Sequence, residues 1–327
     1  MKKTTFYFDS RDGESKIYAV RYEPEEDRLQ GGKPVAILQI IHGMAEYVER
    51  YEETAKFFTD RGFVVTGEDH LGHGKSVPEG GTYGYFCKQD PATVVVRDAH
   101  RLKKMTQSSY PGVPYFILGH SMGSFILRNY ICRYGTGIQG AIIMGTGMPP
   151  AAAISGGKAL CVQQKLLHGD KHVSKNLYKM AFAAYNARVP NARSDYDWVS
   201  KNEENVNRYI EDPLCGFVFT VNGFQTLFEL ISRMSDGDNL KKIPKELPLF
   251  LMSGNEDPVG EYGDGVKRVF DSLEALGMEH VMLKLYAGDR HEILNEADGE
   301  QVCRDINNWI MAKTGNLQVK DSGERKG

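Results

Sequence analysis

At 327 residues, 41% hydrophobic and 25% charged, the chain has the composition of a soluble globular protein long enough to bury a sizeable core. A formal net charge of -3 with mixed signs along the sequence argues against nucleic acid or an anionic membrane as an electrostatic partner. The five cysteines lack any C-x-x-C pair, which disfavours a disulfide framework or a zinc site and fits a reducing cytoplasm. The first residues reach Asp9 and Arg11 before any apolar core of signal-peptide length, and no run approaches the roughly 18 apolar residues of a membrane span.

In chain order, residues 4–9 and 16–23 alternate apolar and polar around Asp12-Gly13 and predict an antiparallel hairpin. Residues 35–41 are nearly all apolar, as in a strand covered on both faces, and run straight into His42-Gly43-Met44-Ala45-Glu46. Residues 51–61 have helical spacing and Gly62 is a C-cap candidate. A strand over 63–67 leads into Asp69-His70-Leu71-Gly72-His73-Gly74-Lys75-Ser76, and a helix is predicted over 93–109. Residues 115–127 then read as a short strand, Gly119-His120-Ser121-Met122-Gly123, and an apolar helix that continues to Tyr134. Another buried strand covers 138–145. From about 148 to 245 the alternation stops, and it resumes with a strand at 248–254, a helix over 266–276, a strand at 280–286 and a last helix over 293–312. Residues 313–327 are charged and glycine-containing, and are expected to be a disordered tail.

Strands alternating with helices imply an α/β fold with a mostly parallel sheet, helices on both faces, and a site beyond the strands' carboxyl ends. The division expected is core over 1–147, an inserted helical cap over 148–245, and core again over 246–312.

The strand, glycine-flanked serine and helix at 115–127 form the context that a G-x-S-x-G nucleophile elbow requires, so Ser121 is the candidate nucleophile. On scaffolds with this elbow the acid and the base follow the serine in that order, each at a strand's carboxyl end. The strand ending near Gly145 offers no carboxylate; the next ends Ser253-Gly254-Asn255-Glu256-Asp257, giving Asp257 as the acid with Glu256 as competitor. The last strand leads to His291, the only histidine beyond it, while His280 precedes that strand. His100, His168 and His172 have no such placement and read as surface or packing residues. A base takes the serine proton, the acid orients the base, and two backbone N–H groups hold the oxyanion; Met122, after the serine, and Met44, in the loop after 35–41, are the candidate donors.

With these residues placed, the chain resembles the monoacylglycerol lipase/lysophospholipase family of α/β-hydrolases. His42 to Glu46 with Arg50-Tyr51 is similar to that family's oxyanion loop, Asp69 to Ser76 to its D-x-x-G-H-G-x-S segment, and Gly119 to Gly123 to its G-H-S-M-G. Gly254 to Gly260 and Arg290-His291-Glu292 match its acid and base segments, and the match covers about 16 to 312. The resemblance implies ester hydrolysis through an acyl-enzyme, without metal or cofactor. One departure lies in the oxyanion loop, which in the family often continues Glu-His-Ser and here continues Glu46-Tyr47-Val48. His70 and His73 read as bracing a turn beneath the site rather than as a metal pair.

Substrate selection falls to the cap. Leu177, Met180, Ala181, Ala184 and Tyr185 follow helical spacing, and Phe217, Phe219, Phe224, Leu227, Phe228 and Ile231 form a second apolar cluster. Met180, Phe217 and Phe224 are the candidate substrate contacts. The expected activity is a serine esterase on monoacylglycerol, lysophospholipid or related acyl esters, with transient lipid contact through the cap. An aminopeptidase or perhydrolase on the same scaffold, or a non-catalytic ligand-binding relative, are the alternatives. For an aminopeptidase, the cap carboxylates Asp195, Asp197, Glu203, Glu204, Glu211 and Asp212 would have to hold a free amine.

Overall fold

A computed structural model describes residues 1–315. The N-terminal hairpin pairs β1 (Lys2–Asp9) with β2 (Lys16–Glu23), and Asp12 closes its turn by accepting from the amides of Glu14 and Ser15, both at 2.9 Å. The remaining strands are β3 (Ile37–Ile41), β4 (Val64–Glu68), β5 (Tyr115–His120), β6 (Gly140–Met144), β7 (Leu249–Gly254) and β8 (Val281–Tyr286). They join one eight-stranded sheet in the order β1-β2-β4-β3-β5-β6-β7-β8. Pairing from β4 to β8 is parallel, and β2 meets β4 antiparallel.

The helices are α1 (Glu52–Thr59), α2 (Pro91–Ser109), α3 (Met122–Tyr134), α4 (Ala151–His168), α5 (Lys175–Phe182), α6 (Glu203–Glu211), α7 (Val221–Met234), α8 (Gly237–Leu240), α9 (Asp264–Ala275) and α10 (Gly299–Thr314). Because successive strand side chains point to opposite faces, the apolar runs feed two separate cores. Ile37, Ile117, Ile143 and Leu251 pack under α2, α3 and α9, while Leu38, Phe116, Ile142 and Phe250 pack under α1 and α10. The sheet is covered on both faces, and the fold is that of the α/β-hydrolases.

Three boundaries differ from the sequence reading. The last helix starts at Gly299 rather than 293, because Glu296 turns inward to accept the amides of Lys201 (2.9 Å) and Arg290 (3.2 Å). It ends at Thr314, two residues inside the expected tail; residues 316–327, where the rest of that tail falls, lie outside the described residues. The amphipathic helix expected through Tyr185 stops at Phe182, and Tyr185 opens a separate 3-10 turn to Arg188. Between β6 and β7, α7 packs against α2 and α3 as well as α4, so its buried face serves the core layer too.

Candidate active site

Ser121 stands between β5 and α3 with φ 55° and ψ -123°. A non-glycine residue at positive φ is strained by about 1–3 kcal/mol and persists only where its surroundings over-determine it. They do so here. A Cβ on Gly119 would come within 2.4 Å of the Gly123 carbonyl oxygen, and one on Gly123 within 2.0 Å of the Ile41 carbonyl oxygen. Both glycines of the motif are therefore required by close backbone passage. The turn is pinned further by the Ser121 amide donating to Met144 (3.0 Å) and the Ser124 hydroxyl donating to the Ser121 carbonyl (2.6 Å).

The loop after β3 packs directly on this serine: a Cβ on Gly43 would lie 3.0 Å from the Ser121 Cβ. Met44 and Met122 both border the same cavity as Ser121. The Asp69 carboxylate ties this loop to the next turn by accepting from the amides of Val48 and Lys75, each at 2.8 Å.

His291 borders the same cavity, and its Nδ1 lies 2.9 Å from Asp257 Oδ2, with both side chains buried. The carboxylate can only accept, so Nδ1 donates to it, an arrangement that leaves Nε2 able to accept a proton. Asp257 is held in place by the Val259 amide (2.8 Å) and the Ser253 hydroxyl (3.1 Å). The competitor Glu256 turns outward to Lys201 at 3.0 Å.

Beneath these groups lies a charged cluster that the motifs alone did not reveal. Arg50 donates two hydrogen bonds to Glu292 (2.7 and 2.9 Å) and one to Glu46 (2.8 Å). Burial works to raise the Glu46 carboxyl, but the hydrogen bond from His120 and the Arg50 charge prevail and hold it down, at about 2. Glu292 is likewise held below its usual range, its burial being outweighed by the Arg50 guanidinium. Helix α6 joins in through Asn205, which donates to Glu292 at 2.7 Å, and Tyr209, whose ring faces the guanidinium at 4.9 Å. The available signal was charge inside otherwise apolar motifs, but partners 242 residues apart are invisible to spacing.

His42, His70 and His73 behave differently. The first two stack with centroids 3.9 Å apart, and the His70 amide donates to His42 Nε2 at 3.1 Å. His70 Nε2 meets the His42 carbonyl at 3.1 Å, and His73 Nδ1 the Leu71 carbonyl at 3.0 Å. These bonds brace the turn, as the sequence suggested. Burial drives His70 down to about 4 and His73 to about 3.

Above the serine the cavity measures about 370 Å³. Its wall is built by Phe125, Ile154, Tyr178, Met180, Phe182, Trp198, Phe217, Leu227, Phe228 and Ile231. Of the expected contacts, Met180 and Phe217 line it. Phe224 does not: it is fully buried against Phe219, with centroids 5.8 Å apart, one turn before the α7 residues that reach the cavity. Trp198 escaped the sequence reading because it stands in an irregular segment, yet its ring centroid is 5.1 Å from that of His291.

The carboxylates of residues 195–212 stay away from the cavity. Asp195, Glu203, Glu204 and Glu211 are exposed, Asp212 accepts from the Tyr47 hydroxyl at 2.7 Å, and Asp197 is taken by Arg193 and Ser194. Among the described residues the only carboxylates lining the cavity are Glu46 and Glu292, both engaged by Arg50.

The comparison with known proteins agrees with this architecture. The chain is 27% identical over 287 residues to the monoglyceride lipase of Rattus norvegicus, covering 85% of this chain and 83% of that protein. It is 28% identical over 283 residues to the monoacylglycerol lipase of Mycolicibacterium smegmatis, covering 85% and 89%. A thermostable carboxyl esterase from Bacillus coagulans, solved in complex with glycerol, superposes with a TM-score of 0.88 at 29% identity over 96% of this chain and 99% of that one. The family model described as serine aminopeptidase, S33, matches residues 32–298. The chain thus belongs to the serine aminopeptidase S33 family, and is an α/β-hydrolase enzyme on the monoacylglycerol lipase branch.

Proposed function

We propose that the protein is a serine ester hydrolase that cleaves monoacylglycerol or a related acyl ester through an acyl-enzyme on Ser121. The observation that carries this reading is a serine on a strained strand–helix turn sharing one apolar, capped cavity with His291, which is itself bonded to the buried Asp257. His291 Nε2 takes the hydroxyl proton as Ser121 Oγ bonds to the ester carbonyl carbon, and Asp257 stabilises the imidazolium formed. The amides of Met44 and Met122 receive the developing oxyanion, each worth about 2.7–4 kcal/mol in the transition state. The imidazolium returns its proton to the departing alcohol; water, deprotonated by the same ring, then frees the acid.

Several features support an acyl ester over an amide with a free amine. The cavity wall is aliphatic and aromatic, and its two carboxylates are already paired to Arg50. The rat and mycobacterial relatives are named for monoacylglycerol, and the same substrate class fits a cavity of this lining. In this reading residues 148–245 form the cap over an α/β core. No described helix is long and apolar enough to cross a membrane, but the outer side of α4 exposes Val162, Leu166 and Leu167 at 55%, 82% and 64%. We assign that patch to transient lipid contact. The five free cysteines fit a reducing, cytoplasmic setting.

The test is a chain-length series of p-nitrophenyl acyl esters on wild type and Ser121→Ala, with fluorophosphonate labelling as control. Labelling at Ser121, an optimum in acyl length and turnover of monoacylglycerol are expected. Hydrolysis of amino-acid amides without turnover of simple esters would transfer the assignment to an aminopeptidase.

A further inference from the structure

We propose that His120, the residue before the nucleophile, is held as an imidazolium in a four-charge cluster with Glu46, Arg50 and Glu292, and in that form positions the loop bearing His291. The inference rests on the assignment of Ser121, His291 and Asp257 above.

Hydrogen-bond bookkeeping around the ring carries it. His120 Nε2 lies 3.2 Å from the His291 carbonyl oxygen, which can only accept, so Nε2 bears a proton. Nδ1 lies 3.0 Å from the Tyr51 hydroxyl and 3.4 Å from Glu46 Oε1. The Tyr51 hydroxyl has one proton, and Glu46 Oε1 at 3.0 Å is the stronger, charged acceptor. With that proton given to Glu46, Nδ1 faces two lone-pair groups and must donate as well. A ring donating from both nitrogens is a cation.

The charge balance agrees. Glu46 and Glu292 are 3% and 5% exposed, and Arg50 is the single permanent cation between them. A neutral His120 would leave this buried cluster with one unmatched negative charge; an imidazolium gives two of each sign. Burial opposes charging the ring, but the Glu46 hydrogen bond and the Glu46 and Glu292 charges raise it above the ordinary histidine value. The titratable and charged groups around it are Glu46, Arg50 and Tyr51 from the oxyanion-loop side, His291, Glu292 and, behind His291, Asp257 from the acid and base loops, and Tyr209 and Cys215 from the cap side.

His120 therefore links three catalytic segments. It follows β5 into the elbow, reaches the oxyanion loop through Glu46, which accepts the Gly43 amide at 2.6 Å, and holds the backbone of the base. Loss of its proton at alkaline pH removes one of these bonds and unbalances the cluster. His120 is a positioning residue: it touches no reacting atom in this scheme.

Two measurements test this. Ring-nitrogen NMR of ¹⁵N-histidine-labelled wild type should show both His120 nitrogens protonated at pH 7, with a single deprotonation above the ordinary histidine range. The pH profile of kcat should lose an alkaline limb at that same ionisation, and His120→Gln, which donates to the carbonyl but cannot titrate, should lack the limb. Its kcat should fall on the order of tenfold with KM little changed. A neutral His120 ring at pH 7, or an identical alkaline limb in His120→Gln, overturns the proposal. The NMR experiment needs no turnover and is informative even where the variant fails to fold. Failure of the esterase assignment is read separately, as absent fluorophosphonate labelling of Ser121.

Discussion

Two groups of buried histidines flank the oxyanion loop, and they obey opposite rules. His42, His70 and His73 are packed against one another, hydrogen-bond to backbone, and are neutralised by burial. His120 is equally buried, yet its protonated form is favoured by Glu46, while His291 has Asp257 as its partner. Glu68 stands 4.0 Å from His70, but burial and the nearby Asp98 and Asp69 raise its own carboxyl to about 8, so it supplies no countercharge at neutral pH. The difference teaches that depth alone silences a histidine, whereas an ionised carboxylate such as Glu46 beside an equally buried ring favours its protonated form.

The comparison can be broken most severely at the base. His291→Ala should lower kcat by on the order of 10⁶, measured with a p-nitrophenyl ester, since removing the serine or the histidine of such a unit costs about as much as removing all of it. His70→Leu should leave the pH profile of kcat unshifted; a shift would mean that the two groups are not independent. Next in size is Arg50→Met, which leaves two buried carboxylates, Glu46 and Glu292, facing the His120 imidazolium alone. A loss of about 3–5 kcal/mol is expected in denaturant unfolding, because breaking one side of a buried pair leaves uncompensated charge. His70→Leu itself should lose about 1–3 kcal/mol, read in the same titration, through the orphaned His42 carbonyl.

The gentlest test is His73→Phe, placed among the rings of Phe86, Phe217 and Phe219, where His73 Nε2 has no partner among the described residues. The folded-state value of His73 lies below the ordinary 6.5, so the unfolded chain binds the extra proton first. Its stabilising contribution is present above 6.5 and is lost as pH falls towards about 3. His73→Phe should therefore flatten the acid side of the stability–pH curve relative to wild type; at pH 7 the orphaned Leu71 carbonyl is offset by removal of the unpartnered Nε2, and stability should change by less than about 1.5 kcal/mol. Unfolding titrations between pH 4 and 7 decide it.

Much of this organisation was legible in the sequence because its signals are local. Fully apolar strands, a serine between glycines and strand-end placement of Asp257 and His291 are all short-range patterns, and each strand formed within a residue or two of its expected limits. What escaped depends on distant pairing. His120 meets the His291 carbonyl across 171 residues, and Arg50 meets Glu292 across 242. Phe224 shares the helical stripe of Leu227 and Phe228, and periodicity cannot tell which turn of a stripe faces a cavity and which faces a neighbouring ring.

The two sides of the acyl cavity have unequal freedom to change. Leu227, Phe228 and Ile231 are wall and core at once, each 6–7% exposed on a helix wedged between α3 and α4. Met180, which lines the cavity from α5, is 45% exposed. Truncating a core side chain to alanine costs about 2–5 kcal/mol, a large fraction of a domain's total stability. A lineage or a laboratory retuning this enzyme for a new acyl group therefore has a cheap direction and a dear one. Variation should accumulate at α5, while α7 drifts only under compensation elsewhere in the sheet-covering layer.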